Sequence, residues 1–377
     1  MRTILKSKPA CALQAGADRA VSIEESRIMR VLIDIGHPGH IHLFRNFARI
    51  FLLKRHEVLF TIREKEFESE LIEAEGLPYR SLGPHYSSAP GKIWGLFRYN
   101  VKVLFISLRF RPDVYLSHGS LYTLLSALIL RKPNITLEDT GNPEQVGIYL
   151  PFTKAVLTSE SFPFDYGNKQ VRYNGYHELA YLHPSYFKPD AGIFKELGLS
   201  DGTVFSIVRF VAWSASHDKK SSGLTTEQKI RIVRHLVKRG PLFISSESEL
   251  PAELEKYRFP LRPEKIHHAL AFASLFVGEG ATMASECGIL GTAAIYINSV
   301  IPDLIAEQGR EYGLISAFTG FEGVIAKVDE VLDRPDLKSE TKSRSERLIN
   351  SKCDVTAFLV RFVDEWPDSF TKTGKNV

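Results

Sequence analysis

Residues 29–51 read MRVLIDIGHPGHIHLFRNFARIF, and this stretch decides the fold. Its first part, RVLIDIG, is a short run of aliphatic and β-branched residues, which is typical of a buried strand. The glycines of GHPGH permit a tight turn, and apolar side chains then recur at helical spacing. A strand that passes through a glycine turn into a helix predicts the first unit of a parallel α/β sheet.

The same alternation continues through both halves of the chain. Strands are predicted at HEVLFTIRE, PDVYLSHG and NITLEDT in the first half, and from GTVFSIVRF to TAAIYIN in the second, with helices between them. The segment YNGYHELAYLHPSYFKPD, residues 173–190, separates the two series and is rich in aromatic residues, glycine and proline. The sequence therefore predicts two α/β domains joined at this segment.

The domain boundaries follow from this pattern. We expect a first domain at 29–175, a second at 176–355, and a C-terminal helix and tail at 356–377. The final helix, DVTAFLVRFVDEWPDSF, is expected to cross back to the first domain. Residues 1–28 have no apolar run of the kind a signal peptide needs, so we interpret them as a disordered extension ahead of a functional start at Met29. A targeting peptide is the alternative interpretation.

Composition narrows the class of protein. With 377 residues, of which 44% are hydrophobic, the chain can bury a sizeable core. Its three cysteines form no CxxC pair, which argues against a disulfide framework or a cysteine zinc site and fits a reducing cytoplasm. The longest apolar runs fall short of a membrane-spanning helix. A net charge of +4 suits an anionic partner and gives no indication of nucleic-acid binding.

The GHPGH turn is a candidate ligand site. Ligands of parallel α/β sheets bind at the carboxyl ends of strands, which is where this turn is predicted to lie. Gly36 and Gly39 would let an anion approach backbone N–H groups at the helix start. His37, His40 and His42 add imidazoles that titrate near neutral pH. The spacing does not match GxGxxG, and a tight turn with hydrogen-bonded histidines is the competing interpretation.

A second glycine-containing loop lies in LFVGEGATMASECGILGTAAIYI, residues 275–297. Gly278 and Gly280 flank the end of a predicted strand, and a helix is predicted from about Thr282. Exposed N–H groups there could hold a diphosphate. Glu286, one turn into the helix, could accept hydrogen bonds from both hydroxyls of a ribose, or could simply favour the positive end of the helix dipole.

Together these motifs resemble known families. Two Rossmann-like halves with a glycine-rich loop at each inner end resemble the GT-B glycosyltransferase fold, in which two parallel sheets face each other across a cleft. The segment SLFVGEGATMASECGILGTAAIYI resembles the nucleotide-sugar loop of the N-acetylglucosaminyltransferase that makes lipid II, and that of the non-hydrolysing UDP-N-acetylglucosamine 2-epimerases. The chain from Met29 to Phe362 is most similar to domain-of-unknown-function family 354, whose members are GT-B-like.

The resemblance implies roles for particular residues. In the related families the loop contacts the diphosphate and the Glu holds the ribose. The resemblance therefore assigns the diphosphate to Gly278, Gly280, Ala281 and Thr282, and the ribose to Glu286. The segment EKIHHALAFASL resembles the one that contacts the uracil through its backbone, which assigns the uracil to Ile266. GHPGHIH resembles the first glycine-rich loop of the transferase, which assigns the matching His to His40, and LEDTGNPEQ places Glu138 at its acidic position.

The sequence also departs from the transferase pattern. Where the transferase has a second glycine-rich loop, this chain reads VRFVAWSASHD, without glycine. Arg209 could contact phosphate there, or form an ordinary ion pair. His217 and Asp218 form a second candidate pair. The acidic set of the epimerases has no clear counterpart.

These features predict a UDP-sugar glycosyltransferase without a metal or other cofactor, because no DxD motif occurs. His40 or Glu138 would take the proton of a saccharide or lipid-linked acceptor. A UDP-sugar 2-epimerase and a non-catalytic nucleotide-sugar binder remain as alternatives. A role in polysaccharide synthesis is implied by the resemblance alone.

One helix suggests a membrane contact. GKIWGLFRYNVKVLFISLRFRP, residues 91–112, mixes aromatic and basic side chains and could lie on the inner face of an anionic membrane. The alternative is a core-facing helix with a solvated basic edge.

Overall fold

The first half of the chain forms a fully parallel sheet. The computed structural model describes residues 28–65, 68–86, 88–211, 223–246 and 249–373. Within these residues the sheet has seven strands: β1 (Arg30–Asp34), β2 (Glu57–Glu64), β3 (Tyr79–Pro84), β4 (Val114–His118), β5 (Asn134–Leu137), β6 (Ala155–Ser159) and β7 (Gln170–Tyr173). Their spatial order is β3-β2-β1-β4-β5-β6-β7. The strand that precedes GHPGH therefore lies inside the sheet, between β2 and β4.

The second half forms a separate parallel sheet. Among the described residues it has five strands: β8 (Ser206–Phe210), β9 (Leu242–Ser246), β10 (Leu275–Gly278), β11 (Ala293–Ile297) and β12 (Ile315–Phe318). The order β12-β11-β10-β8-β9 puts the strand before the second glycine loop at the centre. The prediction of two α/β halves is confirmed.

Helices connect and cover the strands. Those of the first half and the connecting segment are α1 (Pro38–Leu53), α2 (Glu68–Ala74), α3 (Ala89–Phe110), α4 (Leu124–Leu130), α5 (Pro143–Tyr149) and α6 (Leu179–Leu182). Those that follow are α7 (Ile193–Glu196), α8 (Thr226–Leu236), α9 (Ile266–Phe272), α10 (Ala281–Leu290), α11 (Asp303–Arg310), α12 (Val324–Leu332), α13 (Leu337–Ser351), α14 (Val355–Asp364) and α15 (Asp368–Thr373). No helix in the described ranges is long and apolar enough to cross a bilayer.

Helix α14, near the end of the chain, packs against α1 of the first half. Asp364 accepts hydrogen bonds from Lys54 Nζ at 2.5 Å and from His56 Nε2 at 3.1 Å. Thr356 Oγ1 donates to the carbonyl of Ala180 in α6 at 2.7 Å. The chain thus returns to the first half after completing the second sheet.

Two sequence expectations need correction, and two cannot be compared. A single final helix over DVTAFLVRFVDEWPDSF was wrong, because the chain breaks between α14 and α15 at Pro367, which has no N–H to continue a helix. Strands β6, β7 and β12 were not predicted. Residues 1–27, and the pair His217 and Asp218, lie outside the described residues.

Helix α10 is followed by a glycine in a left-handed conformation that packs closely against α13. Gly291 has φ +74°, and a Cβ there would lie 3.1 Å from the backbone Cα of Lys342 in α13. Gly202 has a similar φ of +76° with no atom within 4 Å of such a Cβ. Since α10 also carries Glu286, its end helps to fix the candidate site.

Gly291 and Gly202 together allow the cost of close packing to be separated from the cost of the left-handed backbone conformation. Gly202→Ala should lower the free energy of unfolding by about 1–2 kcal/mol, the cost of a left-handed conformation for a residue with a Cβ. Gly291→Ala should cost about 1–3 kcal/mol more, because the added methyl overpacks the contact with α13. Urea denaturation of both variants measures the difference. Equal losses would contradict the close approach of the two helices.

Candidate functional site

Three side chains meet at the carboxyl edge of the first sheet. His118 ends β4, Asp139 follows β5, and His177 lies just after β7. His118 Nε2 is 3.0 Å from one oxygen of Asp139, and His177 Nδ1 is 3.3 Å from the other. The ring of His40, at the start of α1, lies 4.5 Å from that of His118, centroid to centroid. We call these four residues the histidine–aspartate cluster.

The cluster separates a charged imidazole from a neutral one. Burial, reinforced by the nearby His118 and His37, holds the pKa of His40 well below its usual range. Burial alone would also lower the pKa of His118, but the charge and hydrogen bond of Asp139 outweigh it and raise the pKa to about 9. The same pairing keeps the pKa of Asp139 low against the effect of burial. At pH 7, His40 is therefore neutral beside an imidazolium–carboxylate pair.

The GHPGH turn is stabilised by hydrogen bonds between its own residues. The N–H of Gly36 donates to His40 Nδ1 at 3.3 Å, and the N–H of Gly39 donates to His37 Nδ1 at 3.1 Å. His37 is the N-cap of α1. The two glycine N–H groups that were expected to meet an anion thus have acceptors within the turn, as the competing interpretation described.

Glu138 organises the loop after β5. It is buried, and its Oε1 accepts hydrogen bonds from the backbone N–H groups of Asp139, Thr140 and Gly141, at 2.8–3.1 Å. Its Oε2 accepts from the hydroxyl of Tyr149. Both carboxylate oxygens therefore fix the loop that carries Asp139.

The second glycine loop lies at the carboxyl edge of the other sheet. Helix α10 has Gly280 as its N-cap and no side-chain capping hydrogen bond. The side chain of Arg209, on the neighbouring strand β8, passes close by: its Cγ is 3.5 Å from where a Cβ of Gly280 would lie. Arg209 Nη1 donates to Ser245 Oγ at 2.6 Å. At Gly278, a Cβ would lie only 2.7 Å from the Arg209 carbonyl, so this glycine serves the packing of strands.

Glu286 connects the two halves. This buried side chain accepts hydrogen bonds at Oε1 from the Tyr181 hydroxyl at 2.7 Å and from His267 Nε2 at 3.0 Å. Tyr181 belongs to α6, and His267 to α9 directly after Ile266. The ring of His42, on α1 of the first half, lies edge-on to His267 at 5.1 Å. Ile266 and Glu286 are thus neighbours of the same contact between halves.

Glu178 lies between this contact and the histidine–aspartate cluster. It is buried, follows His177 in the chain and precedes α6. Burial raises its pKa to about 8, and the charges of Glu286 and Asp139 act in the same direction. At pH 7 it is mostly a neutral acid between two carboxylates.

A second buried glutamate holds the edge of the second sheet. Glu279 accepts hydrogen bonds from the N–H groups of Leu224 at 2.7 Å and Val211 at 3.2 Å, and Lys229 Nζ lies 3.5 Å away. This carboxylate joins the loop after β10 to the chain at both ends of the segment 212–222. It therefore sets the position of the Gly280 loop.

The predicted residues fall into two groups. One group comprises His40, Gly36, Gly39 and Glu138 at the edge of the first sheet, and the other Arg209, Ile266, Gly278, Gly280, Ala281, Thr282 and Glu286 at the edge of the second. Sequence reasoning assigned no role to His118, Asp139, His177, Glu178 and Glu279. The available signal was polar residues directly after buried strands, as in YLSHG and ITLED.

The chemistry of the cluster also suits a metal ion. Among the described residues, His118, Asp139 and His177 form a group whose ligand atoms all lie within 4.8 Å of one another. Two imidazoles and a carboxylate are ligands that divalent transition metals accept. Asp139 also accepts from both imidazoles without a metal, whereas the buried Nε2 of His177 has no hydrogen-bond partner among the described residues.

Two parallel α/β halves whose polar carboxyl edges approach each other through His42 and His267 define the GT-B class of fold. Within that class, the chain belongs to the family described as "Protein of unknown function (DUF354)", whose sequence model matches residues 29–306. No curated protein sequence matches this chain.

Solved structures have the same fold at low sequence identity. The MnaA–UDP structure from S. aureus has a TM-score of 0.61 at 13% identity, covering 86% of this chain and 95% of the other. The Methanocaldococcus jannaschii UDP-GlcNAc 2-epimerase, in complex with UDP-GlcNAc and UDP, has a TM-score of 0.57 at 14% identity, covering 85% of this chain and 99% of the other. The Streptomyces sp. SF2575 glycosyltransferase SsfS6 has a TM-score of 0.56 at 14% identity, covering 89% of this chain and 100% of the other.

The charged state of His118 is testable without a substrate. In histidine-labelled protein, the His118 ring nitrogens should titrate at about pH 9, and the imidazolium should lose its proton as the pH rises through that value. In Asp139→Asn the pKa should fall below 7, because burial remains and the stabilising charge is gone. Asp329→Asn, which breaks a separate pair with His235, should leave His118 unchanged. An unperturbed pKa in the parent protein would contradict the described pairing.

Proposed function

We propose that the protein is a glycosyltransferase that moves a sugar from a UDP-sugar to a saccharide or lipid-linked acceptor in the cytoplasm, in the service of polysaccharide synthesis. The observation that carries the proposal is the arrangement around α10. The helix begins at Gly280 without a side-chain cap, has Arg209 beside its first turn, and presents Glu286 at the contact with the first half. An uncapped helix start beside a guanidinium suits a diphosphate.

The donor would lie on the second half. The N–H groups of Gly280, Ala281 and Thr282 would hold the diphosphate, and Arg209 would share its charge. Glu286 would receive the ribose hydroxyls, since Tyr181 and His267 already fix its other oxygen. Ile266, half-buried at the start of α9, would frame the uracil by its backbone.

The reaction would be a single displacement at the sugar. The acceptor oxygen forms a bond to the anomeric carbon, its proton passes to a base, and the bond to UDP breaks with both electrons leaving on the phosphate. The helix dipole of α10 and Arg209 stabilise that negative charge, so the step needs no resident metal or other cofactor.

His40 is the better of the two base candidates. It is neutral at pH 7, whereas both oxygens of Glu138 are engaged in holding the loop. Its Nδ1 accepts a long hydrogen bond from Gly36, so an acceptor hydroxyl would have to replace that bond or find the ring in its other tautomer. The imidazolium of His118 beside it would attract an anionic acceptor. We therefore propose that the acceptor approaches the GHPGH turn and that Glu138 positions the loop.

A 2-epimerase is the second candidate, and Glu178 favours it. An epimerase must remove and return protons at the sugar, and a buried acid with a pKa raised to about 8 by burial and by the charges of Glu286 and Asp139 suits that task. The UDP-GlcNAc 2-epimerases, which have the same fold, also support the epimerase alternative. A nucleotide-sugar binder without catalysis is the remaining alternative.

Donor binding can be measured by thermal unfolding of the full chain. UDP or UDP-N-acetylglucosamine at about 100 times its dissociation constant should add about 2.7 kcal/mol of stability and raise the melting temperature by a few degrees. GDP, ADP and CMP should have little effect. Glu286→Gln should abolish the uridine-specific shift, because the amide has a single acceptor oxygen and cannot serve both the Tyr181 and His267 donors and the ribose hydroxyls.

The matched control is Glu340→Gln, an exposed glutamate on α13 of the same half, which should keep the full shift. A shift of equal size with every nucleotide, or its survival in Glu286→Gln, would contradict the donor site. The absence of any shift would remove both enzymatic proposals.

The reaction type is decided by isotope and product analysis. A transferase should release UDP only when an acceptor is present, whereas an epimerase should incorporate deuterium at sugar C2 in heavy water without an acceptor. Treatment with a chelator should leave the transfer rate within about twofold, since the charge of UDP is met by α10 and Arg209. Loss of activity on chelation, with one metal per chain, would instead assign His118, Asp139 and His177 as its ligands.

A further inference from the structure

Helix α3 carries a large apolar face that the described part of the chain leaves uncovered. One face of this 22-residue helix packs on the first sheet through Tyr99, Val103 and Ser107, all buried. The opposite face holds Ile93, Trp94, Phe97, Phe105 and Leu108, which are 51–74% exposed. Leu128 and Ile129 of the adjacent α4 are exposed to a similar degree. We call these seven residues the apolar face.

Such a helix is unusual at a protein surface. A surface helix normally presents one apolar stripe to the core and polar residues to water, and a helix that is apolar all round is normally buried. Exposed apolar patches of this kind mark binding sites for another surface. The apolar face is therefore a candidate binding surface.

The charge around the apolar face identifies the kind of partner. Residues 76–137 contain eight Lys or Arg and a single Asp, a balance of +7 in a chain whose total is only +4. Helix α3 itself has no acidic residue. Lys92, Arg109, Arg111 and Arg131 are exposed on or next to α3 and α4. Two copies meeting through this face would bring like charges together, whereas an anionic surface would neutralise them.

We propose that the apolar face docks on an anionic lipid membrane, with α3 lying in the plane of the interface. A helix of this length is about 33 Å long, so it can rest along the surface. Trp and Phe side chains enter the boundary between headgroups and acyl chains, and flanking Lys and Arg meet acidic headgroups. This inference does not rest on the proposed reaction, and it holds for any chemistry at the site.

The docked helix is directly connected to the candidate site. Asn100 of α3 donates from Nδ2 to the carbonyl of Leu121 at 3.2 Å, in the segment that follows His118. In the same segment Ser120 Oγ donates to the buried Asp34 at 2.6 Å. Docking through α3 would thus hold the acceptor edge of the first sheet near the bilayer, where a lipid-linked acceptor resides.

The test is flotation of the full chain with vesicles of phosphatidylcholine alone, or with 30 mol% phosphatidylglycerol. The protein should float with anionic vesicles at low salt and much less at 0.5 M salt, where surface charges are screened. Phe97→Ser/Phe105→Ser should lower the partition coefficient at least tenfold, because two aromatic anchors are lost. Lys92→Ser/Arg109→Ser should lower it about 25-fold on anionic vesicles, at roughly fivefold per basic residue.

The matched control is Leu53→Ser/Val300→Ser, which removes two exposed apolar side chains elsewhere and should leave flotation unchanged. Circular dichroism melts confirm that each variant is folded. Trp94→Phe identifies the tryptophan whose emission shifts to the blue on binding.

Three outcomes would overturn the proposal. One is the absence of flotation with anionic vesicles, and another is equal loss of flotation in the control and the α3 variants. The third is a dimer by light scattering that Phe97→Ser/Phe105→Ser dissociates, which would make a second copy the occupant. Nucleotide binding is measured on the same samples, so failure of the membrane proposal is distinguishable from failure of the donor site.

Discussion

The short helix α6 is the constraint on which the rest of the structure depends. The carbonyl of Ala180 accepts hydrogen bonds from Asn46 of α1 at 2.9 Å and from Thr356 of α14 at 2.7 Å. The next residue, Tyr181, donates to Glu286 of α10. One buried turn thus fixes three helices from distant parts of the chain. Because a buried polar group without a partner is costly, these bonds favour a single arrangement of the two halves.

The same turn sets the electrostatics between the halves. A carboxylate can be buried only when donors or charges satisfy it, and Glu286 meets this condition through Tyr181 and His267. Asp139 meets it through His118 and His177. Burial raises the pKa of Glu178 to about 8, and the charges of Glu286 and Asp139 act in the same direction, so at pH 7 this side chain is mostly protonated. The site thus places a charged pair, His118 and Asp139, near groups that are mostly neutral at pH 7, His40 and Glu178.

The sequence predicted the elements better than it predicted the site. The spacing of apolar residues and the glycine turns were enough to assign two α/β halves, because β1 and β10 are buried inner strands with clear boundaries. The strands β7 and β12 lie at sheet edges and read QVRY and ISAF, and they were missed because polar or small residues interrupt these short apolar runs. The partners of His118 come from segments 21 and 59 residues further along the chain, and only the topology brings them together.

The contacts of a side chain also indicate its role more reliably than the motif that contains it. Glu138 stands in LEDTGNPEQ, where an acidic residue suggested a base, yet its four hydrogen-bond donors come from its own loop and from Tyr149. The neighbouring Asp139 is the residue that faces the imidazoles. Helix α3 was compatible with a membrane contact or with a core-facing helix, and the structure packs one face of it on the first sheet and leaves the apolar face exposed. In both cases the backbone direction, at a strand end or along a helix, decides which neighbours each side chain contacts. That direction is fixed by packing between elements, so it follows from the fold and not from the local sequence.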